Sequence, residues 1–214
     1  MAKPITCKEA WQVLTAGRCQ IVDVREPGEF AREHPKGAIN VVFSRKGLAD
    51  RMETVLAAES AVILLAAEDE MEDATAQVEA SRFRLIGVIE GGMAAWAAAG
   101  LPVGSVREVG IDELPPVGGP GLLLDVREPF EWENGYVPGA RLIALGDLRG
   151  RLGDLPRTEP IVIICEAGIR SCTAASMLLA AGFEDVAHVP AGTRRYREAR
   201  LPLEFVEHAP AERR

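Results

Sequence analysis

The sequence predicts an α/β protein with two tandem domains, each a small parallel sheet flanked by helices on both faces. The first observation is an internal repeat: I-V-D-V-R-E-P-G-E-F at residues 21–30 recurs as L-L-D-V-R-E-P-F-E-W at residues 123–132. A repeat separated by about a hundred residues is a whole domain, because solenoid units are only about 20 to 50 residues long. The second observation is that short apolar runs alternate with segments of helical pattern, and this alternation favours parallel pairing of the strands.

The elements of the first unit follow from local patterns. Thr6 and Glu9 have the spacing of a capping box, so a helix is predicted to begin there and to end near Gly17. Further helices are predicted at 29–33, 48–58 and 73–83, with a last one that follows Gly91-Gly92 and ends at Gly100. Strands are predicted at 21–24, 61–65 and 86–89, with another candidate at Val41 and Val42. The second unit repeats this plan, and we place the division between residues 1–104 and 105–214.

Composition excludes several functional classes. The 214 residues are 48% hydrophobic and 26% charged, as in an ordinary globular protein. A net charge of −8 with dispersed basic residues argues against nucleic acid as a partner, and Arg194, Arg195 and Arg197 are interpreted as a solvated edge. We expect no membrane partner and a cytoplasmic location, because we find no long apolar run or secretory signal. The four cysteines are therefore expected to be thiols, and their spacing indicates no metal site.

Residues 160–182 contain the strongest candidate for a functional site. The apolar run at 161–164 predicts a buried strand, and the alanine- and leucine-rich segment at 171–179, followed by Gly182, predicts a helix. Cys165 lies between them, where a tight loop before a helix turns backbone N–H groups inward and favours an anion. A thiolate nucleophile would be stabilised there. The alternative is a buried, inert structural cysteine.

The loop C-E-A-G-I-R-S at residues 165–171 resembles the active-site loop of the rhodanese family of sulfurtransferases. Further rhodanese-like motifs are D-V-R-E-P at 125–129 with P-G-A at 138–140, and E-G-G-M-A-A-W at 90–96. The resemblance implies that Cys165 carries a sulfane sulfur as a persulfide, and that Asp125 and Arg127 form a structural pair. It also implies that no metal or organic cofactor is needed.

The other loop residues are expected to bind the substrate: Glu166, Ala167, Gly168, Ile169, Arg170 and Ser171. Arg170 is expected to hold an anionic donor and stabilise the thiolate, with a surface salt bridge as the alternative. Gly168 would let the backbone close around the sulfur, where a Cβ would intrude. Ser171 is expected to cap the helix and to donate its hydroxyl to the sulfur. Cys172 is expected to pack, with a resolving thiol as the alternative.

The corresponding loop of the first unit has no cysteine. Cys165 aligns with Leu65 or Ala66, depending on how the loop lengths are matched. This loop instead carries five carboxylates: Glu68, Asp69, Glu70, Glu72 and Asp73. Crowded negative charge would repel an anionic donor and oppose thiolate formation, so the first domain is predicted to be catalytically inactive. We interpret these carboxylates as solvent-facing charge at a helix start, with a cation or acid–base site as the alternative.

We therefore expect a sulfurtransferase with its catalytic domain at residues 105–214. Cys165 would take a sulfane sulfur from thiosulfate or a persulfide and pass it to a thiol, a cyanide-like acceptor or a sulfur-acceptor protein. The donor stays open, because the loop differs from the C-R-K-G-V-T form associated with thiosulfate:cyanide enzymes. One alternative is an enzyme similar to dual-specificity phosphatases or arsenate reductases, whose cysteine-to-arginine loop resembles one with five intervening residues where this chain has four. The other is a sulfur-relay or regulatory binding module without turnover.

Overall fold

Two five-stranded parallel sheets, one in each half of the chain, form the framework of the protein. The structure is a computed structural model, and it describes residues 3–206. The first half contains β1 (Pro4–Ile5), α1 (Cys7–Thr15), β2 (Gln20–Asp23), α2 (Pro27–Arg32), β3 (His34–Pro35), β4 (Ile39–Asn40), α3 (Leu48–Val55), β5 (Ala61–Leu65), α4 (Met71–Glu79), β6 (Arg84–Ile89) and α5 (Gly92–Ala98). The rest contains β7 (Val103–Gly104), β8 (Arg107–Glu108), β9 (Leu122–Asp125), α6 (Pro129–Trp132), β10 (Arg141–Leu142), α7 (Leu145–Arg151), a 3₁₀ turn (Leu152–Asp154), β11 (Ile161–Ile164), α8 (Ile169–Ala180), β12 (Val186–His188) and α9 (Gly192–Glu198).

The two sheets have the same strand arrangement. The order is β1-β6-β5-β2-β4 in the first domain and, counted from the corresponding edge, β8-β12-β11-β9-β10 in the second. Every pairing within the two sheets is parallel. The predicted α/β fold with two tandem domains is therefore confirmed. Among the described residues, the structure has no helix of sufficient length and hydrophobicity to cross a membrane.

The sheet register shows which residues of the two domains correspond. The last residue of β2 pairs with Leu65, and the last residue of β9 pairs with Ile164. The next residue along the central strand is therefore Ala66 in the first domain and Cys165 in the second. Of the two alignments that the sequence left open, the register selects Ala66, whose methyl side chain has no nucleophilic atom.

An aspartate–arginine pair stabilises the turn after the second strand of each domain. Asp125 is fully buried and Arg127 is 1% exposed. The Arg127 Nη2 atom donates to Asp125 Oδ2 at 2.7 Å, and its Nε atom donates to both carboxylate oxygens. The same guanidinium donates to the Gly135 carbonyl at 3.0 Å, and Asp23 and Arg25 repeat the pairing in the first domain. A buried charge pair with this many hydrogen bonds acts as scaffold, as the sequence predicted.

Local sequence patterns predicted the start of the first helix correctly and misplaced one strand. Thr6 and Glu9 form the predicted capping box, and α1 begins at the following residue, Cys7. The strand predicted at Val41 and Val42 was wrong by two residues, because β4 is at Ile39–Asn40. Both valines are buried in the structure. These valines are apolar because they are buried between the domains. A short apolar run in the sequence has the same pattern whether it is buried in this way or belongs to a sheet.

The chain passes from one domain to the other near residue 106. β7 pairs antiparallel with β3 of the first domain, and the Val106 amide donates to the Ala31 carbonyl at 2.9 Å. The next two residues form β8, the edge strand of the second sheet. The division after residue 104 stays a prediction.

Helix α8 lies between the two domains and contacts both of them. One side contacts β11 and β12, and the other contacts β4 and α2 of the first domain. Every residue from 171 to 178 is buried. Ser176 Oγ accepts a hydrogen bond from the Asn40 amide at 3.0 Å across the interface. Small side chains such as Ala174 and Ala175 fit this position, because they let neighbours approach the helix from both sides.

Candidate active site

Cys165 lies at the end of β11, directly before the loop that leads into α8. Its side chain is 1% exposed. The Sγ atom accepts a hydrogen bond from the Ser171 backbone N–H at 3.3 Å. Because this amide belongs to the first turn of α8, it has no partner within the helix and is available to the sulfur. The loop therefore directs a backbone donor at the thiol.

Gly168 caps the start of α8 in a backbone conformation that favours glycine. Its φ is +86°, and a Cβ at this position would lie 2.4 Å from the Pro190 carbonyl oxygen. The close contact is with the loop before α9. Glycine is therefore favoured here because the loop packs against the loop before α9, and not because a Cβ would crowd the sulfur, as the sequence predicted.

The start of α9 supports the loop from the other side. Gly192 has a φ of +62°, and a Cβ there would lie 2.5 Å from the Cys165 carbonyl oxygen. The Thr193 amide donates to that same carbonyl at 2.8 Å. The cysteine is thus held through its backbone by α9 and through its sulfur by α8.

Arg170 forms a bidentate ion pair with Glu131 of α6. Its Nη2 atom donates to Glu131 Oε1 at 2.9 Å, and its Nη1 atom donates to Oε2. The hydrogen bond from Arg170 outweighs the effect of burial and lowers the pKa of the Glu131 carboxyl. The structure shows that Arg170 forms a salt bridge, which is partly buried, with side-chain exposures of 29% for Arg170 and 17% for Glu131. The expected roles of Arg170 in holding an anionic donor and stabilising the thiolate stay predictions.

Glu166 faces α9, where it binds two side chains. Thr193 Oγ1 donates to its carboxylate at 2.9 Å, and Arg197 Nη2 donates at 2.6 Å. Burial opposes ionisation of Glu166, but the hydrogen bonds from Arg197 and Thr193 outweigh it and lower the pKa. The interpretation of Arg197 as part of a solvated edge was wrong, because this guanidinium fixes the residue next to the cysteine.

The remaining loop residues have different surroundings. Ala167 is half-buried, and Ile169 is exposed. The Ser171 hydroxyl lies 3.0 Å from the Gly168 carbonyl and 3.2 Å from His188 Nδ1. The prediction that this hydroxyl binds the sulfur and caps α8 was wrong, since the sulfur accepts from the Ser171 backbone and the cap position is Gly168.

A cavity of about 420 Å³ lies beside the loop, between the two domains. The second domain contributes Glu128, Leu145, Ile169, Arg170 and Thr173 to its lining, and the first contributes Val41, Val42, Arg51 and Thr54. A small molecule in this cavity would touch two residues of the candidate loop. The first domain therefore forms part of the wall next to the site although its own loop has no cysteine at the position that matches Cys165.

Besides the bond from Arg197 to Glu166, sequence reasoning missed three contacts that shape the loop: those of Glu131, Thr193 and His188. Each lies 17 or more positions from its partner along the chain. For Glu131 the internal repeat offered a signal, because a glutamate also occurs at the matching position of the first domain, Glu29. No local pattern indicated the other two.

Comparison with known proteins identifies the family. A family model described as "Rhodanese-like domain" matches residues 6–99 and again residues 112–199. The chain belongs to this family. The rhodanese-like chain is similar to thiosulfate sulfurtransferase GlpE of Pseudoalteromonas translucida, with 31% identity over 71 residues, 33% of this chain and 68% of that protein.

Other relatives match only part of their length. The uncharacterized protein YqhL of Bacillus subtilis is 34% identical over 74 residues, 35% of this chain and 59% of YqhL. Among solved structures, a thiosulfate sulfurtransferase from Pseudomonas aeruginosa is 20% identical, with a TM-score of 0.42, over 97% of this rhodanese-like chain and 44% of that one. The family includes sulfurtransferases, and a sulfurtransferase role is supported at that level.

The Arg170–Glu131 pair predicts a pH-dependent contribution to stability. Because its folded pKa is below the ordinary 4.5, the Glu131 carboxyl stabilises the fold above pH 4.5, and this effect is lost as pH falls through the folded value. We expect Glu131→Gln to lower the free energy of unfolding by about 1 kcal/mol at pH 7 and by much less near pH 3. Urea unfolding at both pH values measures this.

The control for that experiment is Glu133→Gln, which alters an exposed carboxylate just beyond α6. It should change stability little at either pH, because surface substitutions away from specific contacts are usually within about 0.5 kcal/mol. A Glu131→Gln protein as stable as the wild type at pH 7 would show that the ion pair contributes nothing to the fold.

Proposed function

We propose that the protein is a sulfurtransferase in which the C-terminal domain transfers a sulfane sulfur through a persulfide on Cys165. The observation that carries the proposal is the hydrogen bond from the Ser171 amide to the Cys165 sulfur, within a loop held from both sides. A backbone donor aimed at sulfur stabilises negative charge there, in the thiolate and in the persulfide alike. The first domain, with Ala66 at the matching position, would not turn over.

The reaction needs two displacements at sulfur. The Cys165 thiol first loses its proton to water, and the thiolate attacks the outer sulfur of the donor. With thiosulfate the donor S–S bond breaks and sulfite leaves with the electron pair; with an organic persulfide, R–S–SH, a thiolate leaves. An acceptor thiolate then attacks the outer sulfur of the Cys165 persulfide, which releases the cysteine as thiolate and regenerates the enzyme. The balance requires no metal, redox partner or organic cofactor.

The site favours this chemistry over phosphoryl transfer. Both terminal nitrogens of Arg170 are bound to Glu131, so the guanidinium offers no free fork to a tetrahedral anion, whether a phosphate ester or thiosulfate, and an organic persulfide is the donor that this arrangement favours. A protein acceptor is not needed for the first displacement. The free cysteines of the described region fit a reducing compartment such as the cytoplasm, which we propose as the location.

Intact mass spectrometry tests the proposal. The protein is incubated separately with thiosulfate, glutathione persulfide and a phosphate ester, and a thiol acceptor is then added. We expect the mass of one sulfur atom to be gained with at least one of the two sulfur donors and lost to the thiol as its persulfide, from which a second equivalent of thiol releases sulfide and forms a disulfide. Gain of phosphate with no gain of sulfur would support the phosphatase alternative, and no gain from any of the three would favour the binding module.

A further inference from the structure

His188 is a buried residue with no part in the chemistry described so far. It ends β12, where it pairs with Ile163 of β11 and Glu108 of β8. Its side chain is fully buried, and burial lowers its pKa to about 4, so the ring is neutral at pH 7. The Nδ1 atom lies 3.2 Å from Ser171 Oγ. A polar ring in such a place is costly unless both nitrogens are satisfied.

The second ring nitrogen lies near a carboxylate. Nε2 has no hydrogen-bond partner within the described residues, and Glu108 Oε1 lies 3.6 Å from it. The Gly168 carbonyl already accepts from the Cys172 amide at 3.0 Å, so it does not require the Ser171 hydroxyl. If the hydroxyl donates to Nδ1, Nε2 carries the proton and faces the Glu108 carboxylate. If instead the hydroxyl donates to the Gly168 carbonyl, Nδ1 donates to the Ser171 oxygen, so the ring is hydrogen bonded to Ser171 in either tautomer.

The first domain provides an internal comparison. Leu64, one residue before the end of β5, pairs with Val88, whereas Ile163 at the same place in β11 pairs with His188. The edge-strand partner differs too, since Val88 pairs with Pro4 and His188 with Glu108. The sheet therefore accepts an apolar residue at this position, and the imidazole occupies it in the domain whose loop contains Cys165.

We propose that His188 is a positioning residue that acts on Cys165 through Ser171. Through its hydrogen bond with the Ser171 hydroxyl, the ring fixes the first turn of α8, and with it the direction of the Ser171 amide toward the sulfur. The inference rests on the proposed function for its relevance to turnover. The effect of His188 on the Cys165 thiol can be measured without a sulfur donor.

Three variants test the role of His188. His188→Val removes the acceptor and introduces the residue found at the matching site in the first domain. His188→Asn places an amide oxygen near the position of Nδ1, and Ser171→Ala removes the hydroxyl but keeps the backbone amide. Each is compared with the wild type by thermal unfolding, by thiolate ultraviolet absorbance at pH 7 relative to Cys165→Ala, and by the rate and donor KM of persulfide formation.

We expect His188→Val to decrease the thiolate absorbance and to slow persulfide formation about five- to tenfold at saturating donor, the effect of one hydrogen bond. The donor KM should change little, because the ring acts on the sulfur and not on donor binding. His188→Asn should return the rate to within about threefold of the wild type, and Ser171→Ala should match His188→Val. Thermal stability should be similar for His188→Val and the wild type.

Several results would overturn this inference. They are a His188→Val protein with wild-type absorbance and rate, or valine and asparagine variants that are equally slow although both are folded. If His188→Val does not fold, Ser171→Ala decides, and wild-type behaviour in that variant refutes the inference. If the wild type forms no persulfide with any donor, the proposed function fails, and the thiolate absorbance still decides the role of His188.

Discussion

Replacing Cys165 with alanine should abolish both the gain of sulfur mass and the turnover of any sulfur donor. The expected loss is to background, on the order of a thousandfold or more, because no other atom in the loop can form the covalent intermediate. The substitution removes one buried sulfur atom from a loop that is held by backbone contacts, so the protein should remain folded. Intact mass and sulfide release with a thiol acceptor measure the two effects.

Cys172→Ala is the matched control, because this second thiol is also buried and lies in the first turns of the same helix. Burial raises the pKa of Cys172, which opposes thiolate formation. Its Sγ atom points to the Pro27 carbonyl of the first domain at 3.7 Å. The Cys172→Ala protein should still form the persulfide with a modest loss of rate. A persulfide on Cys172 in the Cys165→Ala protein, with turnover retained, would disprove the assignment.

Gly168→Ala should have the second largest effect. Its left-handed backbone costs a residue with a side chain about 1–2 kcal/mol, and the overlap with the Pro190 carbonyl adds about 1–3 kcal/mol. The strain can be relieved only by moving the loop away from α9, which displaces the sulfur from its amide donor. We expect a decrease of about 3 kcal/mol in the free energy of unfolding and a decrease of about a hundredfold in the rate of persulfide formation.

Gly182→Ala separates backbone strain from the contact. Gly182 follows the other end of α8 with a φ of +84°, and a Cβ there would have no atom within 4 Å. The variant should lose about 1–2 kcal/mol of stability and keep the wild-type rate. If Gly168→Ala behaves like Gly182→Ala in both measurements, the packing of the loop on Pro190 has no role in positioning the cysteine.

The fold could be predicted because the internal repeat and the apolar strand segments can be recognised directly in the sequence. The same holds for the capping box at Thr6 and for the Asp125–Arg127 pair, whose partners lie two or three positions apart. The contacts of the loop could not be predicted in this way. The bond from Arg197 to Glu166 depends on how α9 packs against the loop, and the position of His188 depends on the register of β12 beside β11.

The packing of α8 also explains why the first domain, whose loop has no nucleophile, stays joined to the second domain. The helix that begins at the sulfur loop is covered by the second sheet on one side and by β4 and α2 on the other. A gene that encoded only the C-terminal half would produce a protein with an uncovered strip of alanine, serine and cysteine side chains. Deletion of the first domain is therefore opposed by the loss of a packing surface, so natural selection can preserve that domain without any chemistry of its own.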